Sequence, residues 1–248
     1  MQRICFMKSR KTIISPKKRN ALYTFSRNLY RQIQYINAVD PAWVQPFPSI
    51  REEGNCNRCP DTTPQHRFFC KSQLISPELV IVCIGTELVM GDCLGPLVGY
   101  QLSRHTLANA CVYGTLKDPI HALNLKQKME SIKKKHPASH IIAIDASFGS
   151  RRHLGTVFIQ PGPLYPGLGV SKDLPPVGDI SITGIVCTQG PDSNERLKDT
   201  PLSLLLPQAE IITEGIIRTL SHFDKRRLHP DHIFPGASLQ NRILQIHR

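Results

Sequence analysis

The chain has no uninterrupted apolar run approaching the ~20 residues of a membrane span. It also has no apolar run of sufficient length behind its basic N-terminal residues, which excludes a secretory signal and leads to the expectation of a cytoplasmic protein. Acids are missing altogether from residues 1–31, which carry nine Lys or Arg. No internal repeat is present. Nor is there a nucleotide-binding signature: the glycine-rich stretch GTELVMGDCLGPLVG has neither the GxGxxG spacing nor the Gly-Lys-Ser/Thr of a P-loop, and Asp92 within it would repel a phosphate.

The net charge of +12 is confined to the ends. Residues 32–76 balance at four against four and residues 77–223 at thirteen against thirteen, while 224–248 add five basic and two acidic residues. A neutral central domain lacks the basic face that phosphate backbones require, so its partners are not nucleic acids. The clusters Lys8-Ser-Arg10-Lys11 and Lys17-Lys18-Arg19 read first as a solvated basic leader, and second as a contact for an anionic surface. Without a signal peptide, the eight cysteines read as reduced thiols.

Three segments follow from composition and periodicity. Residues 1–76 form a basic extension with one amphipathic helix over 20–37, where Leu22, Phe25, Leu29, Ile33 and Ile36 recur at helical spacing. A Pro-rich stretch follows it to Ser76. Residues 77–223 form an α/β domain. The runs LVIVCIG (79–85), CVYG (111–114), HIIAIDAS (140–147), GTVFIQ (155–160) and DISITGIVC (179–187) read as strands. Helices are expected over 95–108, over 121–136 with Leu123, Leu125, Met129 and Ile132 inward, and over 202–223. That order is the one of a three-layer sandwich around a largely parallel central sheet. Residues 224–248 read as a basic mobile tail.

In parallel sheets, ligands bind beyond the carboxyl ends of the strands. Asp92 falls in the loop after the first buried strand and Asp145 ends the third. Two acids at neighbouring strand ends can share a proton and activate water, or hold a metal that does so. Gly85, Gly91 and Gly95, with Thr86, would let the backbone approach a bound substrate closely. His121, at a strand-to-helix junction on the same side, suits an acid, a base or an anchor, and equally a structural hydrogen bond at a helix start. The pair Gly178-Asp179 reads as a turn. Cys56, Cys59, His66 and Cys70 have the composition of a zinc knuckle at an unusual spacing, with loose reduced thiols as the rival reading.

The motifs VIVCIGTELVMGDCLGPLVG, VYGTLKDPIHALNL, IIAIDASFG and PGPLYPGLGVSKDLPPVGDISITGIV resemble the YyaC-type sporulation proteins of endospore-forming bacteria over residues 78–223. Those proteins are similar in fold to the spore germination protease and to the hydrogenase maturation endopeptidases. The resemblance carries Asp92 in GDCLGP and Asp145 in AIDAS onto the two acidic positions of that pattern. Thr183 in GDISITGIV stands where the hydrogenase enzymes would have a histidine ligand. The resemblance therefore implies the germination-protease arrangement, with no metal or other cofactor, and Thr183 beside the substrate. It implies an endopeptidase of spore formation or germination acting on a protein or peptide. The alternative is a non-catalytic peptide- or ligand-binding protein on the same fold. Relatives of this fold often self-associate, so a homo-oligomer is among the expected states.

Overall fold

A computed structural model describes residues 11–39, 79–107, 109–167 and 174–228. The zinc-knuckle candidates Cys56, Cys59, His66 and Cys70, the Pro-rich stretch and the end of the tail lie outside these residues.

Six strands form one sheet in the order β1-β5-β6-β4-β2-β3. They are β1 (Thr12–Ile14), β2 (Leu79–Cys83), β3 (Ala110–Tyr113), β4 (His140–Gly149), β5 (Val157–Pro161) and β6 (Ile180–Thr188). Strands β3, β2, β4 and β6 run parallel, and β5 pairs antiparallel with both β6 and β1. The helices are α1 (Ala21–Val39), α2 (Leu94–Ser103), α3 (Leu125–Lys135), α4 (Ser193–Lys198) and α5 (Leu202–Leu228). None of the described helices is long and apolar enough to cross a membrane.

Strand alternation sorts the core into two layers. Leu79, Ile81, Ile142, Ile144, Ile180 and Ile182 face α1, α2 and α5, whereas Val80, Val82, Ile141 and Ala143 face α3. All five residues of β2 are buried, as both-face coverage of a parallel strand demands. On the thicker side Leu205, Ala209, Ile212, Ile216 and Leu220 of α5 meet Phe25, Leu29 and Ile33 of α1. The three-layer α/β sandwich with a largely parallel sheet is thus the observed architecture.

Four features differ from the sequence reading. Within the basic extension, Thr12–Ile14 pairs with β5 as an edge strand and buries Ile14, so this part is not a solvated leader. Three residues are too few for a period to show, and pairing with β5 supplies the order. Helix α5 continues to Leu228, into the stretch read as a mobile tail. The short helix α4 had no periodic signal. Finally, α3 begins at Leu125 rather than 121: Asn124 accepts from the His121 N–H (2.9 Å) and donates to the Pro119 carbonyl (3.0 Å), holding 121–124 as a turn. Leu123 therefore lies out of phase with the helix and is 79 % exposed rather than inward.

Candidate active site

The carboxyl ends of β2 and β4 lie side by side, because the two strands pair in parallel from Leu79↔His140 to Cys83↔Ile144. Beyond β2 the chain turns at Gly85, whose φ of +137° L side chains rarely adopt. A Cβ there would meet the Asp92 carbonyl oxygen at 2.0 Å, so only glycine lets the loop fold back on itself. The Gly85 N–H donates to the Ile120 carbonyl (2.8 Å), and the Thr86 N–H to that of Asp92 (3.2 Å). These bonds bring the end of β2, the turn before α3 and the 3-10 turn Met90–Cys93 to one point.

Around that point is a cavity of about 400 Å³. Asp92, Asp145, His121, Gly85 and Thr86 line it, with Ile84, Val89, Phe148, Leu164, Leu174 and Leu197 making most of the apolar wall. Asp145 is 7 % exposed and Asp92 half-buried. Burial pushes the Asp145 carboxyl well above its ordinary range, the neighbouring Asp92 charge adds to this, and the Ala146 N–H, donating to Oδ1 at 2.8 Å, opposes it. Burial also raises Asp92, while the Thr86 backbone and the charge of His121 pull it down. The two acids are thus unequal, with Asp145 the stronger holder of a proton.

Gly91, Gly95 and Thr183 are not among the residues lining the cavity. Gly91 packs against Leu197 of α4 and Thr200, and Gly95 against the Ile84 carbonyl, where a Cβ would come within 2.0 Å. Thr183 is the parallel partner of Asp145 in the sheet, one strand away. His121 accepts from the Leu123 N–H at Nδ1 (3.3 Å), so the ring takes part in its turn as well as facing Asp92. Asp179 is structural: its Oδ2 accepts from the Ile141 N–H (2.8 Å) at the opposite end of the sheet. Among the described residues no three of His, Cys, Asp and Glu group as metal ligands. Cys83, Cys93 and Cys187 are free thiols.

Two parts of the wall had no sequence assignment. Between β5 and β6, Leu164 and Val177 pack on the α3 face, joined by reciprocal backbone bonds (2.8 and 2.9 Å), and Leu164–Gly167 and Leu174 line the cavity. Asn194, Leu197 and Lys198 of α4 close the other side. The run PGPLYPGLG entered the sequence reading only as part of the family resemblance, with no place in the fold.

Comparison with known proteins adds two likenesses. A [NiFe] hydrogenase maturation protease, HycI from Thermococcus kodakarensis KOD1, superposes with a TM-score of 0.41 at 19% sequence identity, over 58% of this chain and 92% of that one. The "Uncharacterized protein YyaC" of Bacillus subtilis (strain 168) is 44% identical over 153 residues, which is 61% of this chain and 75% of the relative. The YyaC-type resemblance carried by the motifs is therefore borne out. Residues 62–215 match the family described as "Protein of unknown function (DUF1256)", and the chain belongs to that family.

Proposed function

We propose that this chain is an aspartate-dependent endopeptidase of spore formation or germination. The observation that carries the reading is the pair of acids in one apolar cavity, both raised by burial and held unequal by their surroundings. Asp92, which the charge of His121 favours in its ionised form, takes a proton from a water set between the carboxyls. The water oxygen attacks the substrate carbonyl carbon, and Asp145 gives its proton to the carbonyl oxygen. In the second step Asp92 returns its proton to the amide nitrogen, the C–N bond breaks, and Asp145 recovers a proton from the gem-diol. Apolar walls favour a hydrophobic side chain beside the scissile bond. The spore setting rests on the resemblance of the motifs over residues 78–223 to the YyaC-type sporulation proteins.

Exposed apolar side chains lining the cavity (Leu123 at 79 %, Tyr165 at 62 %) would serve a non-catalytic peptide binder equally well. Incubating the full-length chain with an extract of dormant-spore proteins and mapping new N-termini by mass spectrometry separates the two readings. Wild type is expected to create termini, with Asp92→Asn and Asp145→Asn each slower by at least about a hundredfold. The wild-type rate should fall at low pH as Asp92 gains a proton and at high pH as Asp145 loses one, the acid limb displaced upward from the ordinary carboxylate value and the alkaline limb lying well above it. Cleavage that persists in both Asn variants would refute the mechanism.

A further inference from the structure

A row of side chains leads away from the acid pair across the sheet. Asp145 pairs with Thr183, Thr183 with Phe158, and Phe158 with Ile13, so the four residues cross β4, β6, β5 and β1 in register. Strand alternation puts them on one face, which α3 together with Leu164 and Val177 covers over β2 and β4. Thr183 is half-buried and Ile13 is 49 % exposed. Phe158 is 7 % exposed: the Lys11 ammonium stands 4.0 Å from its ring centroid, and the His153 ring meets it edge-on at 5.3 Å. Just before His153, Arg151 and Arg152 are both exposed.

This end of the row is cationic without compensation from its own segments. Residues 11–31, which carry Lys11 and Ile13, and residues 146–161, which carry Arg151, Arg152 and Phe158, contain no acid. Fixed cations beside a desolvated aromatic ring suit a carboxylate partner, whose side chains pair with Lys11 and Arg151 while its backbone crosses Thr183. Neighbouring strands lie ~4.8 Å apart, so the three steps from Asp145 to Ile13 span about 14 Å, or about four residues of extended chain.

We infer that the β6–β5–β1 strip is an extended subsite for an acidic polypeptide segment, placing Asp or Glu side chains about four residues from the bond at the acid pair. The inference rests on the peptidase reading for what lies at the acid pair, and its test keeps the two apart. The binding probe is a fluorescein-labelled twelve-residue peptide with a central Phe and two Glu residues about four positions to one side. It is made in both orientations, each with a Gln-for-Glu counterpart. Anisotropy is measured on full-length Asp145→Asn, so that no cleavage intervenes. One Glu orientation is expected to bind at least tenfold tighter than its Gln counterpart, with the gap shrinking as salt is added. Lys11→Glu with Arg151→Glu should abolish the gap, and Lys133→Glu on α3 should leave it intact, with thermal melts confirming that each variant is folded. Equal binding of Glu and Gln peptides, or a gap that survives the Lys11/Arg151 reversal, would overturn the inference. So would tighter binding of a single-stranded oligonucleotide or of phosphatidylglycerol vesicles, since the cations would then serve another partner. Wild-type cleavage of both peptides at one rate would also count against the strip while sparing the peptidase reading. A preference in binding with no cleavage of either peptide would sink the peptidase reading and leave the acidic subsite standing.

Discussion

Asp145 holds its proton more tightly in the folded chain than in the unfolded one, because burial removes its water and Asp92 adds like charge. The consequence for stability has a definite sign. Below the ordinary value of 3.8 the group is protonated in both states. As pH rises from there, the unfolded chain loses the proton first, and stability falls until the folded-state value is passed. Asp145→Asn keeps an oxygen for the Ala146 N–H but cannot ionise. It is expected to melt above wild type at pH 7.5, with the gap closing towards pH 4, even as activity disappears. Differential scanning calorimetry across that range checks this, and an Asn variant that melts lower at every pH would show that Asp145 is structural. A strained or costly group at an active site is a common pattern in enzymes. That Asp145 terminates an apolar strand was plain from HIIAIDAS. Its inequality with Asp92 was not, because it depends first on how deeply the fold buries each acid, and then on His121 arriving from another loop.

Helix α1 and helix α5 meet most closely at Phe25 and Gly215. A Cβ on residue 215 would stand 2.1 Å from Phe25 Cδ1, so the glycine is a slot for the ring. Gly215→Ala ordinarily favours a helix by up to ~1 kcal/mol, yet here overpacking of ~1–3 kcal/mol should win. The variant is expected to melt lower than wild type, and adding Phe25→Leu should recover part of the loss because the two positions couple directly. Additive losses in urea unfolding would contradict the slot. The helical stripes of α1 and α5 were legible in sequence, since Phe25, Leu29 and Ile33 and then Leu205, Ala209, Ile212 and Ile216 keep a 3.6-residue rhythm. Which stripe faces which was not legible, because periodicity gives a face and never its partner. The exposed Leu123 is the converse case: its apolar character suggested core, while the turn fixed by Asn124 aims it at the cavity mouth.

At the scale of the whole chain, the N-terminal residues belong to the sheet and to the core. Phe25 and Leu29 are 0 % exposed and Ile14 2 %, against α5 and the sheet. A chain shortened to begin at Pro77 would uncover this face and leave β5 as an open edge, a known route to aggregation. It is expected to be insoluble or to melt far below the full chain. By contrast, nicking between Val39 and Leu79 should leave two fragments that co-elute in size-exclusion chromatography. Fragments that separate with the larger one still folded would refute this.

The sequence by itself determined the architecture and the addresses of the two acids. Buried parallel strands write themselves as continuous β-branched runs, and helices as amphipathic stripes, so β2, β4, β6, α1 and α5 could be read from local pattern. An acid at the end of such a strand needs no further context to be placed at the ligand-binding edge. Only the tertiary structure decided what surrounds those acids. The residues flanking Leu164 and Val177, α4 and β1 are held by contacts outside their own short runs, whether Leu164 and Val177 with the α3 core, Leu197 with Gly91, or Ile13 with Phe158. Segments this short carry no period of their own, and their order comes from the surface they land on. The cavity and the cationic strip beside it are made of such segments, which is why they became visible only once the chain was folded.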